Sequence, residues 1–208
     1  MGFLFNYLTG TRVQAEIPRF LTVPVETFTI VMKFLWKAGT NFMGPLYGFG
    51  YQNITDELVL TERFYSLSVM VNEYIETVTL DASDANTGSM MVEVSRNFQL
   101  MINGHYHDSD MIELQPDTWY TASLTYADST LTLYLNDRQV MEVGDVANDF
   151  LSSHHTAASR LLVGNGLEVN TACLQVYTDF LSTDQMLLAA HRCDSNGKLD
   201  IKLYRHLA

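Results

Sequence analysis

The chain has 208 residues, a net charge of −12 with a pI near 4.7, and 47% apolar residues. This is enough for one substantial core, so a single domain over residues 1–208 is expected, while the negative charge would repel phosphates and argues against a nucleic-acid partner. The longest apolar run, TFTIVMKFLW from Thr27, is broken by Lys33 and too short to cross a bilayer as a helix, so no membrane partner is expected.

The opening MGFLFNYLTGTRVQAEIPRF has no basic region ahead of an apolar run and no small-residue cleavage site, and Asn6 stands where a myristoylation signal wants Ser or Thr. Neither leader nor lipid is expected at this end. Its apolar start reads equally as the first strand of the fold or as an assembly arm that adds to a partner's sheet edge. ETFTIVMKFLW and GPLYGFGY follow as alternating, strand-like runs. In the second, Tyr47, Phe49 and Tyr51 share one face, where they form a core layer or an exposed ladder. Tyr47 and Tyr51 are therefore candidate ligand-binding rings, with the core reading favoured.

FYSLSVMV and YIETVTL continue the alternation and lead to the loop DASDANTG. There Asp81, Asp84 and Asn86 are candidate calcium ligands. The spacing departs from an EF-hand because Gly88 stands where a further oxygen ligand belongs, and an Asx-rich turn is the simpler explanation. After GSMMVEV and FQLMING comes HYHDSD, in which His105 and His107 would share a strand face and are candidate metal ligands beside Asp108 and Asp110. A polar strand end leading into a loop explains the same residues.

WYTASLTY, STLTLYL and RQVMEV then form consecutive strands, with Leu131, Leu133 and Leu135 facing inward, Trp119 expected to plug the core, and Asn136 and Asp137 at a hairpin tip. The adjacent His154 and His155 suit an exposed loop. RLLVGNG and ACLQVYT complete about a dozen strands, with Val163 and Leu174 expected inside. LSTDQMLLAAHRC breaks the pattern: Ser182 or Thr183 can cap a helix of about two turns whose apolar face is Met186, Leu187 and Ala190. The two cysteines, Cys173 and Cys193, are read as free buried thiols, with pairing as the alternative. Many short strands and one late helix imply an all-β, two-sheet antiparallel sandwich.

The order from Trp119 through LTLYLND at Leu131, LLVGN at Leu161 and CLQVYTDFLSTDQ at Cys173 resembles the concanavalin A-like jelly rolls, most closely the laminin G-like and pentraxin-like modules. Their usual run has a Trp opening a strand, a hairpin reading tLYvNG, an l.iG strand, and a last core strand passing into a helix. The resemblance is specific in order and spacing over residues 97 to 190 and compatible before them. One departure is that Asp137 and Arg138 follow Asn136 where the family commonly has Gly, which points to a tip longer than two residues.

The resemblance implies a jelly roll whose relatives include lectins, adhesion modules, hydrolases and structural domains, and which often binds calcium through loop carboxylates. Hydrolases of this fold carry an E-x-D-x-E type run that sets two carboxylates about the glycosidic bond, and none occurs here. Gly-x-Ser-x-Gly is also absent, and neither cysteine has a flanking His. No catalytic residue is expected, and no cofactor other than the candidate calcium. The expectation is a non-catalytic surface module of a larger assembly, a virion structural protein of the capsid-decoration or tail-fibre type. It would act on the virion surface or outside the cell, as a homo-oligomer among protein partners, with carbohydrate or host-surface binding. The alternative is a freestanding lectin-like or adhesion domain that binds glycans, and a glycoside hydrolase is the distant third.

Overall fold

The computed structural model describes residues 3–5, 8–9, 13–16, 26–37, 44–51, 65–79, 90–102, 105–148, 159–163 and 169–192, with side-chain detail for 26–37, 46–48, 69–72, 96–102, 105–148 and 169–192. Among the described residues the strands are β1 (Phe3–Phe5), β2 (Leu8–Thr9), β3 (Val13–Glu16), β4 (Phe28–Trp36), β5 (Gly44–Tyr51), β6 (Tyr65–Thr79), β7 (Met90–Ile102), β8 (His105–Ile112), β9 (Trp119–Ala127), β10 (Thr130–Leu135), β11 (Arg138–Val143), β12 (Ser159–Val163) and β13 (Val169–Tyr177), followed by the helix α1 (Thr183–His191). They form two antiparallel sheets. A seven-stranded sheet runs β1-β13-β4-β9-β10-β11, with β2 also pairing β13, and a six-stranded sheet runs β3-β12-β5-β6-β7-β8. The opening apolar segment is thus an edge strand of its own sandwich, with Phe3 to Phe5 paired against Val176 to Leu174. Two strands expected in pairs of pieces are each continuous: β6 and β7 pair in unbroken register from Leu67↔Ile102 to Thr79↔Met90.

Alternation decides the core. In β4 the even residues Phe28, Ile30, Met32, Phe34 and Trp36 face the facing sheet, where they meet Val69, Val71, Phe98, Leu100 and Ile102. Ala122, Leu124, Tyr126, Leu131, Leu133, Leu174 and Val176 join the same cluster, and Leu135 is packed at its margin. Phe34 meets Phe98 edge-on across the sandwich at 6.4 Å between ring centres, and Phe28 stacks on Tyr126 at 5.7 Å. The inward positions expected of Leu131, Leu133 and Leu174 are therefore occupied as the alternation requires; the side chain of Val163 lies outside the described residues.

Trp119 corrects the sequence reading. β9 pairs with β4 so that Leu35 opposes Trp119 and Phe34 opposes Tyr120. The inward set of β9 is then Tyr120, Ala122, Leu124 and Tyr126, and Trp119 falls on the outer face. There it is half-buried against Ala172 and Cys173, with the Lys33 ammonium 5.7 Å from its ring centre. The tryptophan in the core is Trp36, 9% exposed, with the Arg96 guanidinium 4.1 Å from its ring centre.

The hairpin tips follow from residues that tolerate left-handed backbone. Asp128 and Ser129, at φ 49° and 58°, close β9 onto β10 in two residues, a geometry whose twist suits the flanking strands. The next tip is also only two residues, because Leu135 pairs with Arg138, which corrects the longer tip expected from the missing glycine. Asn136 adopts φ 57° in its place. Its N–H donates to the Thr121 carbonyl at 2.7 Å, and its side-chain oxygen accepts from the Thr121 N–H at 2.9 Å. The extra residue is absorbed instead as a bulge, since Leu133 pairs with Met141 while Tyr134 pairs with Gln139.

α1 begins at Ser182, whose hydroxyl accepts from the Gln185 N–H while the Gln185 side chain accepts from the Ser182 N–H. Met186, Ala189 and Ala190 are buried with Val31 and Leu181 on the outer face of the larger sheet, and Leu187 is half-buried. Thr29 fixes the approach, donating to the Asp179 carbonyl at 2.9 Å and accepting from the Leu181 N–H at 3.0 Å. Gln175 fixes the far end by donating to the Ala189 carbonyl at 2.8 Å. Contrary to the free-thiol reading, Cys173 is disulfide-bonded. The chain's one other cysteine is Cys193, which follows Arg192 at the helix cap and lies outside the described residues.

Two stability measurements check this account. Leu133→Ala, which empties a fully buried site, is expected to cost about 3 kcal/mol in urea unfolding, and Trp119→Ala less than half as much. Equal losses would return Trp119 to the core. Replacing both cysteines of the chain, Cys173 and Cys193, by Ala removes the disulfide at Cys173 and is expected to cost about 3 kcal/mol, the usual loss for a native disulfide. That corresponds to a fall of about 6–12 °C in the calorimetric midpoint. Reductant should lower the midpoint of the natural protein and leave that of the double variant where it is.

Candidate functional site

The sandwich is open along the side where each sheet ends, at β8 in one and β11 in the other, and these two strands come into contact. A broad cleft of about 460 Å³ lies there, lined by Ile102, by His105, Tyr106 and His107 of β8, and by Val143, Gly144, Asp145, Val146 and Ala147 at the end of β11 and beyond it. The volume falls within the range of about 300–1,000 Å³ that small-ligand sites occupy.

Register explains what β8 presents to it. His107 pairs with Leu100 and His105 with Ile102, and cross-strand partners share a face. Because Leu100 and Ile102 point into the core, both histidines sit on the inward side at the open edge. The shared face read from the sequence is therefore present. The flanking acids are not part of it. Asp108 pairs with Gln99 on the other face, where its carboxylate accepts from the Gln99 amide at 3.0 Å and the Asn97 amide at 3.4 Å. Beyond it a bulge intervenes, because Asn97 pairs with Met111 and Gln99 with Asp108. Ser109 fills the gap in the ladder, its hydroxyl accepting from the Phe98 N–H at 2.9 Å and donating to the Asp110 carbonyl at 2.7 Å. Among the described residues no three His, Cys, Asp or Glu side chains come together as a metal site.

The opposite wall is held by backbone and core contacts. Val146 donates its N–H to the Ser129 carbonyl at 2.8 Å and accepts from the buried Tyr126 hydroxyl at 3.0 Å, with its own side chain buried. Asp145 precedes it at φ 57°, and its side chain is exposed. The wall is thus preformed: two apolar side chains with one carboxylate between them, facing two imidazoles, while Tyr106 between the histidines pairs with Met101 and turns its ring to the outer face of β8. Such a lining suits a ligand with both apolar and hydroxyl-bearing surfaces.

The remaining candidates separate from this site. Tyr47 is wholly buried in the core cluster, which settles its place in a core layer and corrects its candidacy as a stacking platform. Burial also drives its hydroxyl pKa far above the usual value. The side chain of Tyr51 and the residues Asp81, Asp84 and Asn86 lie outside the described residues. Tyr106 and Asp145 were not singled out by the sequence. The available signals were an aromatic between two histidines of one strand, and a Gly-Asp pair directly after a strand, which marks a turn as readily as a site.

No family model matches the chain, and no curated protein matches it. Among solved structures it is similar to a native heptameric SAP-like pentraxin from Limulus polyphemus, with a TM-score of 0.50 and 16% identity over 90% of this chain and 76% of that one. It is also similar to a Trypanosoma rangeli sialidase in complex with 2,3-difluorosialic acid, with a TM-score of 0.50 and 15% identity over 89% of this chain but only 26% of the sialidase. A Ruminococcus gnavus IT-sialidase CBM40 bound to alpha2,3 sialyllactose gives a TM-score of 0.46 and 14% identity, covering 89% of this chain and 94% of that one. At such identities the likeness is one of fold. With two packed antiparallel sheets and a single short helix late in the chain, the architecture is the concanavalin A-like jelly roll expected from the run that begins at Trp119.

Proposed function

We propose that the protein is a non-catalytic recognition module that binds carbohydrate in the cleft between β8 and β11. The observation that carries this reading is the lining itself. Val143 and Val146 give an apolar wall for the C–H face of a sugar ring, and His105, His107 and Asp145 give hydroxyl partners. A hydrolase that works with two carboxylates needs a pair about 5–9.5 Å apart across the scissile bond. The described lining residues include one carboxylate, Asp145. Recognition without bond cleavage is accordingly the better-supported chemistry.

We further propose that the module is displayed as a homo-oligomer on the surface of a larger assembly such as a virion. The disulfide at Cys173 supports a setting outside a reducing cell, and repeated copies would raise the avidity of a weak, open site. An open cleft of this kind should bind a single oligosaccharide with a Kd of about 0.1–1 mM.

Titration of immobilised or isotope-labelled protein with an oligosaccharide panel tests the reading. At least one sugar should bind and shift resonances of His105, His107 and Val146. His105→Ala should weaken that sugar at least tenfold without lowering the thermal midpoint by more than a degree or two. Binding is expected to agree within twofold in millimolar calcium and in chelator, and no reducing ends should be released. A monomer at all accessible concentrations would remove the assembly part of the proposal, and sugar binding that persists unchanged in His105→Ala would remove the cleft from it.

A further inference from the structure

We infer, resting on the carbohydrate reading of the cleft, that this site takes an uncharged sugar and rejects the same sugar carrying a carboxylate. The inference comes from the charges the fold places around the cavity. Among the described residues that line it, Asp145 is the charged group and none is Lys or Arg. Asp145 is held in that position from both sides: its φ of 57° sets the turn, and the next residue, Val146, is fixed by hydrogen bonds to Ser129 and Tyr126. The backbone that carries its carboxylate is therefore fixed at the rim of the cleft.

Glu142, three residues earlier on the outer face of β11, is also exposed and accepts from the Gln139 amide at 3.0 Å, and the whole chain carries −12. An acidic ligand would meet this field with no cation in the described lining to offset it. A neutral sugar meets hydrogen-bonding partners instead. The Asp145 carboxylate accepts from hydroxyls, and the ring nitrogens of His105 and His107 offer further hydrogen-bonding partners. Like-charge opposition on the ligand side is the repulsive element that turns a permissive cleft into a selective one.

The experiment uses the full chain and pairs of oligosaccharides that differ only at C6, galactose oligomers and their galacturonate counterparts, with glucose and glucuronate oligomers as a second pair. At low ionic strength the neutral member of the pair that binds is expected to bind at least tenfold more tightly than its carboxylated partner. The ratio should shrink several-fold when salt is raised to 0.5 M, because a surface charge is screened within a few ångströms there. Asp145→Asn is the chosen variant because Asn tolerates positive φ as Asp does. It should weaken the neutral oligomer a few-fold, through loss of a charged acceptor, and narrow the neutral-to-acidic ratio at least fivefold.

Equal or tighter binding of the acidic member by the natural protein overturns the inference and leaves the carbohydrate reading standing. A ratio unchanged by both salt and Asp145→Asn also overturns it, by assigning the preference to shape. If neither member of either pair binds and the wider panel is silent too, the carbohydrate reading falls and the inference falls with it.

Discussion

One additional residue in β13 sets much of the rest of the structure. Lys33 of β4 pairs with Ala172, but Val31, two residues back, pairs with Gln175, so three steps of β13 run against two of β4. Cys173, at φ 56°, is the residue that makes room. Before the bulge the odd residue Val169 faces the core; after it the even residues Leu174 and Val176 do. The shift turns Gln175 and Tyr177 outward. There the Gln175 amide meets the last turn of α1, and Tyr177 packs beside Val31, Leu181 and Met186, with the Arg192 guanidinium 3.4 Å from its hydroxyl. Without the bulge, Gln175 and Tyr177 would keep to the inward side and Leu174 would be exposed, so the helix would lose its seat and the core would gain an amide.

Two further bulges shape the open side of the sandwich. The one extra residue in the Ser109–Asp110 pair that opposes Phe98 keeps His105 and His107 inward while bringing Ile112 against the core, and it leaves Met111 58% exposed. The extra residue at Val140 restores Met141 and Val143 to the faces of their partners Leu133 and Leu131. Both interruptions fall in edge strands, where an irregular ladder also discourages pairing with another chain.

The strands, the helix with its Ser182 cap, and the jelly-roll order from Trp119 onward were legible because alternation, capping residues and turn residues are local properties. Bulges are not. Alternation in WYTASLTY is consistent with either face being inward, and only the pairing of Tyr120 with Phe34 decides that Trp119 lies outside. The tip at Asn136 was misjudged for a similar reason: glycine is the commonest residue for positive φ, but an Asn whose side chain caps the facing strand serves as well. His105 and His107 were visible as a pair from their spacing. Their neighbours in space, Val143 to Ala147, are some forty residues away in sequence and meet them only because β8 and β11 end their respective sheets.

The position of the cleft also bears on how its chemistry can vary. Val146 and Ile102 belong to the core or its margin, and the hydrogen bonds of Val146 reach the β9–β10 tip, so the apolar part of the lining is coupled to folding stability. His105 and Asp145 are exposed, and substitutions there change the lining with little effect on packing. Shape is thus fixed by the scaffold, while hydrogen bonding and charge are set by side chains that the scaffold does not need. A jelly roll can present different recognition surfaces at this edge without disturbing the sandwich beneath, which is why function has to be argued from His105, His107 and Asp145 rather than from the fold that carries them.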